Sequence, residues 1–241
     1  MEKTLSNTIG LPDEARDPAP TDEDVVHRVL SGDIQAFETL IRRYNQRLYR
    51  FARGIVADDQ DAREVVQEAY VRAYTNLASF KGPDGFATWL HVIARNQAFS
   101  MLRQRHREMP TEMDTMEQIL EDAALLDAPD PQSALETERL GRTLEAAIDK
   151  LPEAFRVVFV LRAVEGVSVR ETAQILGLNE KTVKTRLFRA RRMLREGFRG
   201  YLKGAGRHVY EFAGLRCDLL TAAVMARVAA MAAAEGSYRD D

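Results

Sequence analysis

The sequence predicts an all-α protein. Apolar residues recur at helical spacing along most of the chain, sustained period-two alternation is missing, and capping residues stand at the starts of the periodic segments. With 241 residues and 45% hydrophobic content, the chain can bury one large core or two small ones.

Thr21 followed by Asp22, Glu23 and Asp24 opens a first helix in the manner of a capping box, and Ser31-Gly32-Asp33 closes it and caps the next. A long helix then places Phe37, Leu40, Ile41, Tyr44, Leu48, Phe51 and Ile55 on one stripe. Asp58, Asp59 and Asp61 begin a third helix that runs to about Ser79. A Gly-Pro loop from Lys81 to Gly85 leads into a fourth, from Thr88 to about Arg105. These four helices form one bundle, residues 21–107.

Residues 108–134 read as a flexible linker, because Pro110, Pro129 and Pro131 interrupt any long helix, although Met116 to Leu126 has the spacing of a short one. From Leu135 to Lys203 a second helical domain follows. Residues 1–20 carry Pro12, Pro18 and Pro20 and read as a disordered extension, and 204–241 as an Ala-rich helical extension.

Charge is unevenly spread. The net charge of −3 conceals ten acids and no Lys or Arg between Glu108 and Glu138, and ten bases against one Glu between Lys181 and Arg207. Contact with phosphate depends on the local patch, so the acidic mean does not exclude nucleic acid. The lone Cys217 cannot form an intrachain disulfide or supply a cysteine cluster, which favours a reducing compartment. The N-terminus lacks the basic start and apolar run of a signal peptide. Leu219 to Ala234 is mostly Ala and broken by Arg227, which argues against membrane insertion. A soluble, cytoplasmic protein is the resulting expectation.

The second domain carries the most specific local pattern. Ser168-Val169-Arg170-Glu171 is a capping box opening a short helix that ends at Leu176; Gly177 supplies the turn and Asn179 caps the next helix. This is a helix-turn-helix. On its second helix Val183, Leu187, Ala190 and Leu194 form a packing stripe, while Lys181, Thr185, Phe188, Arg192 and Arg195 lie opposite, free to enter a major groove. Lys184, Arg186 and Arg191 flank the stripe, within reach of phosphates. Phe188 is out of phase with the stripe and suits stacking or a thymine methyl.

Leu151-Pro152, Arg156, Gly166, Glu171, Gly177 and the run from Thr182 to Arg191 resemble the promoter-binding C-terminal domain of sigma-70-family factors, in particular the extracytoplasmic-function group. In the first bundle, Asp61 to Tyr70 resembles the family's polymerase-binding helix, and Phe86 to Asn96 its promoter-melting segment. The resemblance spans about Asp22 to Leu202.

It implies that Asp61, Glu64, Gln67 and Glu68 meet a basic surface of core RNA polymerase. It implies recognition of the −35 promoter element by Lys181, Lys184, Thr185, Arg186, Phe188, Arg189 and Arg192. Lys81, Phe86, Trp89, Asn96 and Arg103 would act at the −10 element, where an extruded base is captured in a pocket without covalent chemistry. The acidic linker corresponds to the segment that threads toward the polymerase cleft, and an anti-sigma factor is an implied partner. The plainer alternatives are solvated charged faces for the acids and bases, and core packing for Phe86 and Trp89.

No enzyme is suggested. His27, His91, His106 and His208 are scattered, no phosphate-binding glycine loop occurs, and the acids at Asp58, Asp59 and Asp61 are explained by the helix dipole without a metal. No cofactor is implied. A free-standing helix-turn-helix regulator and a sigma-like decoy for an anti-sigma factor are the competing readings; the first has no use for the N-terminal match, and the second predicts a degraded basic face. The extension after Lys203, where Leu219, Leu220, Val224 and Val228 form a packing stripe, has no assigned role, and both its own domain and a regulator are open as its docking partner.

Overall fold

The computed structural model describes residues 20–81, 85–108, 134–195 and 209–237. Among these, every regular element is helical. The N-terminal extension up to residue 19, the bulk of the acidic linker with Met116 to Leu126, and the bases Arg199, Lys203 and Arg207 lie outside the described residues.

Helix α1 (Asp22–Leu30) starts with the predicted capping box: the Thr21 hydroxyl accepts from the Asp24 amide, and the Asp24 carboxylate accepts from the Thr21 amide. Gly32 turns the chain at φ +102°, a conformation that a side chain would strain. Asp33 caps a short 3₁₀ turn (Ile34–Ala36) that runs directly into α2 (Phe37–Val56). The predicted stripe on α2 is buried throughout, and so are Tyr49, Ala52 and Val56 beside it, which makes α2 the central helix.

Asp58 caps α3 (Asp59–Thr75). That helix ends at Thr75, four residues before the expected Ser79, with Asn76 as its C-cap, and a separate 3₁₀ turn (Leu77–Ser79) follows. Helix α4 (Gly85–Glu108) is longer at both ends than its apolar periodicity indicated. In the second bundle α5 (Ala134–Asp149) and α6 (Glu153–Phe159) are separated at Leu151-Pro152, and α6 continues into a π turn (Val160–Val164). Helices α7 (Val169–Leu176) and α8 (Glu180–Arg195) form the helix-turn-helix, and α9 (Leu215–Ser237) is the C-terminal helix.

The two bundles are packed on each other. One hydrophobic core runs from Val25 to Val228, with α2 against α3, α4 and α6, α4 against α7, and α9 against α2 and α3. Close approach of α6 to α2 depends on Gly54: a Cβ there would stand 3.3 Å from Val160 Cγ2 and 3.4 Å from the Val157 Cα. Arg156 seals the junction. Its buried guanidinium donates to the carbonyls of Gly54 (2.9 Å) and Ile55 (2.8 Å) on α2, and to those of Asp149 and Leu151 on its own side.

Helix α9 is long and apolar enough to cross a membrane by length and composition, contrary to the reading of residues 219–234 as too weakly apolar. Its Leu220, Thr221, Val224 and Val228 are nevertheless buried against α2 and α3, and Arg227 pairs with Glu68 at 3.0 Å. The Ala content that lowers its side-chain apolarity also permits close helix packing.

Candidate nucleic-acid interface

The helix-turn-helix is held by local bonds at each corner. Ser168 and Glu171 make the reciprocal capping box of α7. Gly177 ends α7 in the left-handed region at φ +66°, and the amides of Gly177 and Leu178 bond back to Gln174 and Ala173 in a Schellman turn. Asn179 Oδ1 then accepts from the Thr182 amide at 2.7 Å and starts α8. These bonds fix the angle at which α8 leaves the turn.

On α8, Val183, Ala190, Met193 and Leu194 are buried and Leu187 is half-buried. The opposite side is open: Lys181, Lys184, Thr185, Arg189, Arg191 and Arg192 are exposed, and Arg186 is half-buried. Phe188 is 61% exposed, so it serves no core. Among the described residues no carboxylate pairs with any of these bases, and their charge is directed at solvent. The side chain of Arg195 lies outside the described residues.

On α3 the four polar residues diverge. Asp61 is buried and pairs with Arg105 of α4, while Glu64 is exposed and Gln67 and Glu68 are half-buried. Glu68 accepts from Arg72 at 2.9 Å and from Arg227 at 3.0 Å. Burial raises the Glu68 pKa, but these two hydrogen bonds and the arginine charges outweigh it and hold the carboxyl below its ordinary value. Spacing along α3 alone could not separate Asp61 from Glu64, because the partner of Asp61 is 44 residues away.

On α4, Phe86 is fully buried and joins Tyr44, Phe80 and Trp89 in an aromatic cluster with ring centroids 5.5–5.6 Å apart. Phe86 is therefore a packing residue under Trp89. Half-buried Trp89 and exposed Asn96 and Arg103 recur every seven residues and share one face of α4. Lys81 is exposed at the edge of the loop, whose residues 82–84 are outside the described set. Asn96 Oδ1 accepts from the Arg95 guanidinium at 2.9 Å, and Arg95 also donates to the Ile175 carbonyl at the end of α7. Nothing local in the sequence marks this role of Arg95, whose acceptor lies 80 residues away.

The comparisons bear directly on these segments. The family model Sigma-70 region 2 matches residues 40–108, which hold α3 and α4, and Sigma-70, region 4 matches residues 141–194, which hold the helix-turn-helix. The RNA polymerase sigma-H factor of Pseudomonas aeruginosa is 35% identical over 187 residues, 76% of this chain and 97% of that protein. The ECF RNA polymerase sigma-E factor of Escherichia coli K12 is 36% identical over 174 residues, 71% of this chain and 91% of that one. The chain is a sigma-70-family sigma factor of the extracytoplasmic-function group. This sigma factor also resembles the solved structure of CnrH in complex with the cytosolic domain of CnrY, with a TM-score of 0.50 and 28% identity over 72% of this chain and 94% of that one. As a sigma factor it belongs to the machinery of transcription initiation, with DNA and RNA polymerase as its family's binding partners. Residues 209–237 fall beyond both matched segments.

Proposed function

We propose that this sigma factor directs core RNA polymerase to promoters by reading the −35 element with the outer face of α8 and opening the −10 element with α4. The observation that carries the reading is the exposed basic face of α8, with no carboxylate partner among the described residues and Phe188 exposed at its centre. Lys184, Thr185, Phe188 and Arg189 meet base edges, while Lys181, Arg186 and Arg192 steer and hold phosphates. Trp89 and Asn96 face the melted strand, Lys81 and Arg103 its backbone, and Phe86 supports Trp89 from beneath. Glu64, Gln67 and Glu68 offer a polar, acidic strip to a basic polymerase surface, with Asp61 bracing α3 on α4.

The factor does no covalent chemistry in this scheme and needs no cofactor or metal. It works in the cytoplasm, and an anti-sigma factor is its regulator, by analogy with the complex in which CnrH was solved. The test is run-off transcription on a library of genomic fragments with purified core polymerase, with and without this protein. Discrete starts that require both components support the reading; a free-standing regulator or a decoy gives none.

A further inference from the structure

We infer that the C-terminal segment from Val209 to Val228, seated across α2 and α3, is an internal competitor for the polymerase-facing surface of α3, an inference that rests on the polymerase-binding role proposed for α3. Two parts of the segment hold this surface by different means.

The first part is a plug. Val209, Tyr210 and Phe212 are buried between α2 and α5. The Gln46 side chain donates to the Tyr210 carbonyl (2.9 Å) and accepts from the Phe212 amide (2.7 Å), and Arg50 donates to the Val209 carbonyl (2.7 Å). From the other side Glu145 accepts from the Tyr210 amide at 2.6 Å. Phe212 stacks on Tyr49 with ring centroids 4.2 Å apart. The plug therefore ties the N-terminal bundle to the second bundle.

The second part is α9. Leu220, Val224 and Val228 of the predicted stripe are seated on α2 and α3 together with Thr221, whereas Leu219, also expected in the stripe, is exposed because it lies to the side of the buried face; Asn45 Nδ2 lies 3.1 Å from Cys217 Sγ. Three ion pairs set the register: Arg216 with Asp59, Asp218 with Arg42, and Arg227 with Glu68. Exposed pairs contribute little energy singly, so the apolar stripe holds the helix and the charges choose its position.

The choice of charges is the informative feature. Arg227 presents to Glu68 the same positive charge that a basic polymerase surface would present. Arg72 sits on one Glu68 oxygen and Arg227 on the other, so the carboxylate is already neutralised while α9 is seated. Binding of a basic polymerase group at Glu68 therefore competes with the seating of α9. A tail seated nine times in ten lowers the apparent affinity about tenfold, since only the open fraction binds.

The chain's single cysteine makes a clean lock available. Asn45→Cys brings a second thiol against Cys217 and removes the Nδ2 contacts to Cys217 and Thr221, so the reduced variant, not wild type, is the reference for the locked one. Full-length N45C, oxidised with diamide, is expected to form the bond and to lose the binding to core polymerase that the same protein keeps when reduced, with oxidised and reduced wild type alike. Full-length R216E/R227E is expected to bind severalfold more tightly than wild type and to lose hydrogen-exchange protection along α9. Equal binding by locked and reduced N45C, or failure of the bond to form, overturns the inference while leaving the polymerase reading intact. If reduced N45C, R216E/R227E and wild type all fail to bind core polymerase, the polymerase reading falls and the inference with it.

Discussion

The Arg156 guanidinium donates to the Gly54 carbonyl at 2.9 Å across the junction of the two bundles. The carbonyls at the C-terminal end of α2 have no helical partner, and they carry the negative end of the helix dipole. A buried cation from α6 meets both needs. Burial pulls the Arg156 pKa below its ordinary value, against the opposing influence of Tyr210, Asp149 and Glu153, and the four carbonyl bonds satisfy the guanidinium donors inside the protein. Close approach depends in turn on Gly54 having no side chain.

Arg156→Met retains the stem and removes every donor. The carbonyls of Gly54 and Ile55 are then buried without partners, and the expected loss is about 3 kcal/mol in urea denaturation. A loss under about 1 kcal/mol would mean that water replaces the guanidinium and that the bridge is incidental.

Gly54→Leu tests the same junction from the other side. A branched side chain cannot fit within 3.3 Å of Val160 Cγ2, so α6 must move away from α2. A larger radius of gyration by X-ray scattering, with unchanged helix content, is expected.

His91 confers a pH dependence on stability. Its ring is buried at a T-shaped contact with Phe51, Nδ1 lies 2.6 Å from the Ala87 carbonyl, and Nε2 has no partner among the described residues. Burial depresses the His91 pKa; the Ala87 carbonyl and Glu165 oppose this and Arg47 reinforces it, and burial prevails. The unfolded group titrates near ~6.5. Above that value both states are neutral and stability is flat. As the pH falls below it the unfolded chain takes the proton first, so stability declines by up to about 1.4 kcal/mol per pH unit until the folded His91 also protonates. Glu145, whose pKa burial raises, acts in the opposite sense above the ordinary carboxylate range but equally in both proteins under comparison. His91→Leu should therefore melt with a shallower dependence between pH 7.5 and 5.5. Identical slopes would assign the effect elsewhere.

Much of this architecture was legible because its signals are local. The capping boxes at Thr21 and Ser168, the turn at Gly177 and the apolar stripe of α2 each depend on residues a few positions apart, and the structure realises each of them. What could not be read were pairings set by the tertiary fold. Nothing near Gly54 announces Arg156, nothing near Asp61 announces Arg105, and the stripe on α9 shows that the helix packs without showing where. Phe86 and Phe188 make the contrast plain: phase against a neighbouring stripe identified Phe188 as outward, whereas the burial of Phe86 arises from Tyr44 and Phe80 on other elements.

The last prediction separates the two kinds of contact proposed for α8. A base reader discriminates one base pair from another, whereas a phosphate contact adds the same energy on every sequence. Lys184→Ala and Arg189→Ala should each cost about 1–3 kcal/mol on the preferred −35 element and relax preference at a single position. Phe188→Ala should act likewise if its exposed ring meets a thymine methyl, and its loss should not lower the melting temperature, because the ring has no core to leave. Arg191→Ala should instead weaken preferred and scrambled DNA alike and reduce the slope of log affinity against log salt by about 1, since one fewer counterion is released. The measurement is holoenzyme binding to a panel of single-base promoter variants across a salt series. Should all of these variants behave like Arg191→Ala, α8 would be only an electrostatic anchor, and promoter choice would have to come from α4.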